Sequence, residues 1–178
     1  MERMDIPEFS RPVAVETVTE EAAFSIEATA GERDGLARRL GLVSIDRLSA
    51  ELRLIRQMGA MLHLEGRLTA EVTQSCVVTL APVHSCIAVD VDRRYGPAEA
   101  IAEADAEEVA LEDEDPPEVL VDGIVDLGEV ISEQLALEID PFPRAEGVEF
   151  TGYSSGPTPA EKANGPFAAL EDLLKKPK

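Results

Sequence analysis

Alternation of apolar and polar residues is the clearest pattern in this chain. In Leu62–Val72 the even positions are apolar or small and the odd positions are polar. A period of two over this length predicts a β-strand with one buried face and one solvent-exposed face. Weaker alternation at Leu52–Leu54 and clear alternation at Ile87–Asp92 predict neighbouring strands, with turns at 57–60 and 81–83. These segments together predict an antiparallel meander.

Two other segments carry helical periodicity. The first, Gly31–Gly41, has acids at its start, arginines near its end and a glycine where a helix commonly terminates. The second follows Asp126, which with Glu129 gives a start like a capping box. Pro141 ends this helix. Its mostly apolar stripe consists of Leu127, Val130, Ile131, Gln134, Leu135 and Glu138.

Shorter signals complete the predicted fold. Extended runs occur at Pro12–Val15, Ala22–Ala28 and Val119–Val121, and Asp122-Gly123 fits a turn. The fold class is therefore α+β: an antiparallel, curved or barrel-like sheet with two packed helices and an acidic disordered insertion. The predicted domain covers residues 8–150, with the acidic loop at about 96–118. Residues 151–178 are predicted to form a flexible tail with a short amphipathic segment.

Negative charge is concentrated in one part of the chain. Between Tyr95 and Pro143 there are sixteen Asp and Glu residues and no Lys or Arg, which accounts for most of the net charge of −20. Such a block repels phosphate and attracts basic partners. The candidate contacts for a basic partner are Glu112, Asp113, Glu114 and Asp115.

Composition excludes several classes of protein. No stretch reaches the roughly 20 apolar residues that cross a bilayer, and the N-terminus has no signal-like apolar core. We therefore expect a soluble, cytoplasmic protein without membrane contact. Cys76 and Cys86 are too few for a disulfide framework, and Thr79 stands where a Cys-x-x-Cys pair needs its second cysteine. No metal or cofactor is expected.

Catalytic and nucleic-acid motifs are weak. No glycine-rich phosphate loop is present, and the neighbours His84 and Ser85 would point to opposite faces of a strand, which disfavours a small hydrolase. If Arg53 and Arg67 share the polar sheet face, they form a basic patch that either binds RNA phosphates or consists of ordinary surface ion pairs. Few aromatic residues are available to stack on bases. The full set of candidate RNA contacts is Arg53, Arg67, Arg93 and Arg94.

Two segments, Gln74–Val83 and Val121–Leu137, resemble the two signatures of the YceD family, the large ribosomal RNA subunit accumulation proteins. In the first signature a Cys precedes a Leu-x-Pro-Val turn, and in the second an acidic loop and short strand lead into a helix with a Glu-Gln-Leu core. Phe9–Pro12, Ala37–Leu42 and the tail at Asn164–Leu170 also fit the family. The signature positions are Cys76, Thr79, Leu80, Pro82, Val83, Asp122, Gly123, Asp126, Leu127, Glu129, Glu133, Gln134 and Leu135.

The resemblance implies a non-enzymatic role in the accumulation or processing of 23S ribosomal RNA and in assembly of the large subunit. The implied partners are a basic ribosomal protein or ribosome assembly factor, and 23S rRNA. A direct RNA-binding module and a small hydrolase stay open as alternatives. Many family members carry Cys-x-x-Cys with further cysteines after the last helix, which suggests a metal site. Here Thr79 and Pro143-Arg144 replace them, so this variant is expected to be metal-free, with Cys76 as a structural remnant.

Overall fold

The computed structural model describes residues 7–98 and 117–149. The chain divides between Val148 and Glu149 into two units, and the helices and strands named below all belong to the first. Most of the predicted acidic loop, including residues 112–115, and the amphipathic tail lie outside the described residues.

The described residues form seven strands, two α-helices and two single-turn 3₁₀ helices. The α-helices are α1 (Ala30–Leu40) and α2 (Leu127–Glu138), and the 3₁₀ turns are Val15–Thr17 and Met58–Ala60. The strands are β1 (Pro12–Ala14), β2 (Glu21–Glu27), β3 (Ser44–Arg56), β4 (Leu62–Ser75), β5 (Pro82–Gly96), β6 (Glu118–Val119) and β7 (Ile124–Asp126).

Five strands form one sheet in the order β2-β3-β4-β5-β6, and β1 pairs with β7 in a separate two-stranded sheet. All neighbours are antiparallel except β5 and β6, where Tyr95 lies beside Glu118 and Gly96 beside Val119. The fold is therefore α+β, as the sequence predicts. The sheet ends in two edge strands, β2 and β6, so the barrel-like alternative is wrong.

The core lies on one face of the five-stranded sheet. Alternate residues of β3 and β4 point into it, and α1 and α2 pack over the same region. Full burial of each large apolar side chain stabilises the fold by about 1.5–3 kcal/mol. Residues with almost no exposed surface include Leu48, Leu52 and Leu54 on β3, Leu62, Leu64 and Leu68 on β4, Leu36 on α1, and Ile131 and Leu135 on α2. Phe9 joins this core from the segment before β1.

Candidate interaction surface

The turn between β4 and β5 surrounds a buried thiol. The Sγ atom of Cys76 accepts hydrogen bonds from the Thr79 hydroxyl and from the backbone N–H of Ala145, the latter at 3.3 Å. These donors, first that of Thr79, lower the pKa of Cys76 to about 6. One sulfur surrounded by N–H and O–H donors does not fit zinc, which takes four lone-pair donors. Within residues 7–98 and 117–149, no group of three or more His, Cys, Asp or Glu side chains is arranged to hold a metal ion.

The turn itself spans Cys76–Ala81, closed by the Cys76 N–H to the Ala81 carbonyl at 2.8 Å. Pro82 and Val83 already belong to β5, so the turn predicted at 81–83 is wrong by several residues. Leu80 has a positive φ of 62° and is 79% exposed. Because a left-handed conformation costs a non-glycine residue energy, the turn is held by its surroundings rather than by the preference of this leucine.

The segment after α2 closes over the same turn. The Gln74 side-chain amide donates to the Asp140 carbonyl at 2.7 Å, and the Val77 N–H donates to the Pro143 carbonyl at 2.9 Å. With the bond from Ala145 to the sulfur, three contacts join the first signature to the residues that follow the second. The two signature regions are therefore neighbours in space at this end of the domain.

Asp126 ties the start of α2 to the segment before β1. Its carboxylate accepts the backbone N–H groups of Gly128 and Glu129 at 3.0 and 3.3 Å, which caps the helix. The same carboxylate accepts the Arg11 N–H at 2.6 Å and the Ser10 hydroxyl. A Cβ atom on Gly128 would lie 2.5 Å from the Phe9 carbonyl oxygen. Asp126 and Gly128 thus allow the backbone at the start of α2 to lie close to the backbone of residues 9–11.

Ion pairs join α1 to this junction. Glu129 does not complete a capping box. Its carboxylate instead accepts hydrogen bonds from the two terminal guanidinium nitrogens of Arg39 on α1, at 2.6 and 3.2 Å. Arg11 binds Glu32 on α1 at 2.7 and 3.1 Å. The hydrogen bond from Arg11 is the main reason that the pKa of Glu32 falls to about 2. Sequence reasoning missed this network, although Thr-x-x-Glu at the start of α1 was a readable capping box, and both of its bonds are present.

Asp122 and Gly123 form a tight turn before β7, as predicted. Both have positive φ, of 53° and 67°, and the Ile124 N–H bonds to the Val121 carbonyl at 3.1 Å. This is the type I′ geometry, for which Asp-Gly is a preferred pair. The Gly123 carbonyl also accepts the N–H of Val15 at 2.9 Å. The turn therefore fixes the small β1–β7 sheet.

The remaining signature positions lie along α2. Leu127 and Leu135 are fully buried in the core, and Glu133 is exposed. The side-chain Oε1 of Gln134 accepts a long hydrogen bond of 3.5 Å from the Arg93 guanidinium on β5. Most signature residues thus cap a helix, form a turn or pack in the core.

Arg53 and Arg67 lie on adjacent strands on the solvent-exposed face of the sheet, so the condition for a shared polar face is met. Arg53 pairs with Glu65, and its second pair with Glu21 is 3.6 Å long; Arg67 pairs with Asp90 at 3.0 Å. Their side chains are 57% and 60% exposed. Both arginines are accessible to solvent, and each already has a carboxylate counter-ion.

The four candidate arginines are not brought together. Arg94 is on the same face as Arg53 and Arg67, whereas Arg93 is on the other face, where it binds Glu118 at 3.0 Å. Carboxylates outnumber guanidinium groups on the exposed face of β2–β5. The acids there are Glu21, Glu27, Glu51, Glu65, Glu71, Asp90 and Asp92, and the bases are Arg47, Arg53, Arg67 and Arg94.

The residues considered for a hydrolase do not form a catalytic group. His84 is exposed and its Nδ1 lies 2.8 Å from the Thr73 hydroxyl, while Ser85 points to the opposite face of β5. Cys76 and Cys86 are both free thiols, one buried and one exposed.

Comparison with known proteins gives one match. A family model described as "Large ribosomal RNA subunit accumulation protein YceD" matches residues 64–174. This range contains both signature segments. No curated protein and no solved structure matches the chain.

Proposed function

Because the chain belongs to the YceD family of large ribosomal RNA subunit accumulation proteins, we propose that it is a non-enzymatic accessory factor in large-subunit biogenesis. It acts in the accumulation or processing of 23S ribosomal RNA, in the cytoplasm. The observation that carries the proposal is the family match over residues 64–174, which spans more than half of the chain. Among the helices of the described residues, none is long and apolar enough to cross a membrane.

The partner that we propose is a basic protein, either a ribosomal protein or a ribosome assembly factor. The net charge of −20 and the excess of carboxylates on the exposed sheet face support it, because both repel phosphate and attract Lys and Arg side chains. The acidic sequence around Glu112, Asp113, Glu114 and Asp115 adds to this attraction through its charge.

The experiment is genetic. Deleting the gene in its own organism should lower 23S relative to 16S rRNA and reduce free large subunits in a sucrose gradient. Restoring the gene should reverse both changes, and an unchanged gradient after deletion would refute the proposal.

The acidic contact is tested by charge neutralisation rather than by deletion of residues 98–117. In the parallel pairing of β5 and β6, Glu118 lies beside Tyr95. A deletion that joined Pro97 directly to Glu118 would leave too little chain for β6 to pair in parallel with β5, so it would disrupt the sheet as well as remove charge. A variant with the four acids at 112–115 changed to their amides should rescue the deletion strain poorly. The control removes the same charge from four exposed acids elsewhere: Glu16, Glu20, Asp34 and Asp46. Equal rescue by both variants would refute a role of the acidic contact.

Direct RNA binding is the second candidate, because Arg53 and Arg67 are more than half exposed on one face. If these arginines bind phosphates, affinity for 23S fragments should fall steeply with salt. The double variant Arg53→Ala, Arg67→Ala should then make the negative slope of log K against log salt shallower by about 2. No binding at low salt would remove this candidate and leave the protein partner.

A further inference from the structure

Strand β5 presents a long edge. It runs over fifteen residues, Pro82–Gly96, and from Pro82 to Tyr95 it pairs with β4 on one side. On the other side only Tyr95 and Gly96 are paired, with β6. Within residues 7–98 and 117–149, the backbone from His84 to Asp92 therefore has no strand beside it on that side.

The direction of the backbone groups follows from one hydrogen bond. The Gly96 carbonyl accepts the N–H of Leu120 at 2.9 Å, so Gly96 points away from β4. Backbone direction alternates along an antiparallel strand, and the register with β4 continues from Ser75 opposite Pro82 to Leu62 opposite Tyr95. The residues with outward N–H and C=O groups are then His84, Cys86, Ala88, Asp90 and Asp92.

Two common protections against pairing, an internal proline and a lysine, are missing from this edge. Natural edge strands are often short, interrupted by proline or a bulge, or marked by Lys. β5 has its single proline at the first position and contains no Lys. The opposite edge, β2, is only seven residues long, and the side chain of Arg11 donates to its last carbonyl, that of Glu27. Of the two edges, β5 is the one suited to accept another strand.

Side chains beside the edge define what fits. On the exposed face, Asp90 and Asp92 have side chains that are 80% and 72% exposed. On the other face, Ile87 and Val89 belong to or border the core. A neighbouring strand therefore needs Lys or Arg on one face and apolar side chains on the other, because directly opposed pairs of these kinds are favourable. A second copy of the chain, with its own charge of −20, is disfavoured.

We propose that the outer edge of β5 binds an extended segment of a basic protein, in which Lys or Arg alternates with apolar residues, as an added strand. Backbone hydrogen bonds to the five outward residues supply the docking, and Asp90 and Asp92 select basic side chains. The inference builds on the proposed function, since it names where the basic partner binds.

A peptide tests the edge directly. The probe is a nine-residue peptide of alternating lysine and valine, and its control has the same composition with the lysines grouped at one end. The alternating peptide should bind the full-length protein at least about tenfold more tightly, since the control has the charge but not the pattern. Equal binding of both peptides would overturn the proposal, because charge alone would then explain the affinity.

Matched proline variants locate the binding. In Ala88→Pro the lost N–H points outward and makes no bond to β4, so the strand tolerates it while the added strand does not. Ala23→Pro is the control on β2, because the Ala28 N–H bonds to the Leu48 carbonyl and the odd residues of β2 therefore point outward. Ala88→Pro should weaken binding about tenfold, and Ala23→Pro should not. Equal effects of the two prolines would overturn the proposal.

Amide hydrogen exchange gives a readout that needs no variant. In the free protein the amides of Cys86, Ala88 and Asp90 should exchange faster than those of Ile87 and Val89, and the alternating peptide should protect them. If these amides are already protected in the free protein, another segment covers the edge. Analytical ultracentrifugation would show whether that segment belongs to the same chain in a monomer or to a second copy in a dimer, and either result would overturn the proposal. If the peptide fails to bind while the gene still restores large subunits in the deletion strain, the edge proposal is refuted and the proposed function is not.

Discussion

Replacing Asp126 by alanine should destabilise the domain more than the loss of an ordinary helix cap. Its carboxylate accepts four hydrogen bonds, two from the first turn of α2 and two from Ser10 and Arg11. Removing an N-cap side chain costs about 1 kcal/mol. Removing a charged acceptor from partly buried donors costs about a further 1.5–3 kcal/mol. The free energy of unfolding should therefore fall by about 3 kcal/mol in Asp126→Ala.

Guanidinium chloride unfolding followed by far-ultraviolet circular dichroism is the suitable assay, because the chain has no Trp to report by fluorescence. Asp126→Asn keeps a capping oxygen and should lose only about 1 kcal/mol. Asp34→Ala, an exposed acid on α1, is the control and should change stability by no more than about 0.5 kcal/mol. A loss below about 1 kcal/mol in Asp126→Ala would refute the idea that this side chain joins the two segments.

Three further outcomes follow from single side chains. Tyr95→Phe should raise the free energy of unfolding by about 1 kcal/mol, because within the described residues the buried hydroxyl has no hydrogen-bond partner; a lower unfolding midpoint would contradict this. Arg11 holds the pKa of Glu32 at about 2 against an ordinary 4.5. The ion pair therefore contributes to the free energy of unfolding above pH 4.5, and this contribution is lost as the pH falls toward 2. Screening limits this loss to about 1–2 kcal/mol, and Glu32→Gln should remove that part of the pH profile. Thr79→Val should raise the pKa of Cys76 from about 6 toward 9, measured by thiolate absorbance in a variant whose second cysteine is serine; an unchanged titration would show that Thr79 is not the donor.

Local patterns predicted the elements that depend on local interactions. The alternation in Leu62–Val72 identified β4, which the structure extends to Ser75, and the charges around Gly31–Gly41 identified α1 to within a residue at each end. The Asp-Gly turn before β7 was also confirmed. In each case the cause lies within a few residues of the chain, as turn and cap chemistry require. Longer strands were underestimated: β3 begins at Ser44, although only Leu52–Leu54 was predicted.

Contacts between distant residues were beyond these patterns. Nothing near Glu129 in sequence indicates that it pairs with Arg39, ninety residues away, rather than with its own helix cap. Strand alternation places Arg93 and Arg94 on opposite faces, but no local signal gives Arg93 its partners Glu118 and Gln134, which β6 and α2 bring beside β5. Pairing across such separations depends on the path of the whole chain.

The sequence by itself determined the α+β class, the two helices, the resemblance to the YceD family and the strong negative charge, because each is written in residue types and short-range spacing. Only the tertiary structure decided that the sheet is open, that the buried sulfur of Cys76 meets hydrogen-bond donors, and that residues 84–92 of β5 have no strand on one side among the described residues. The physical reason is that a strand's pattern records which face is buried, whereas the occupancy of its edges is set by which other strands the fold brings beside it.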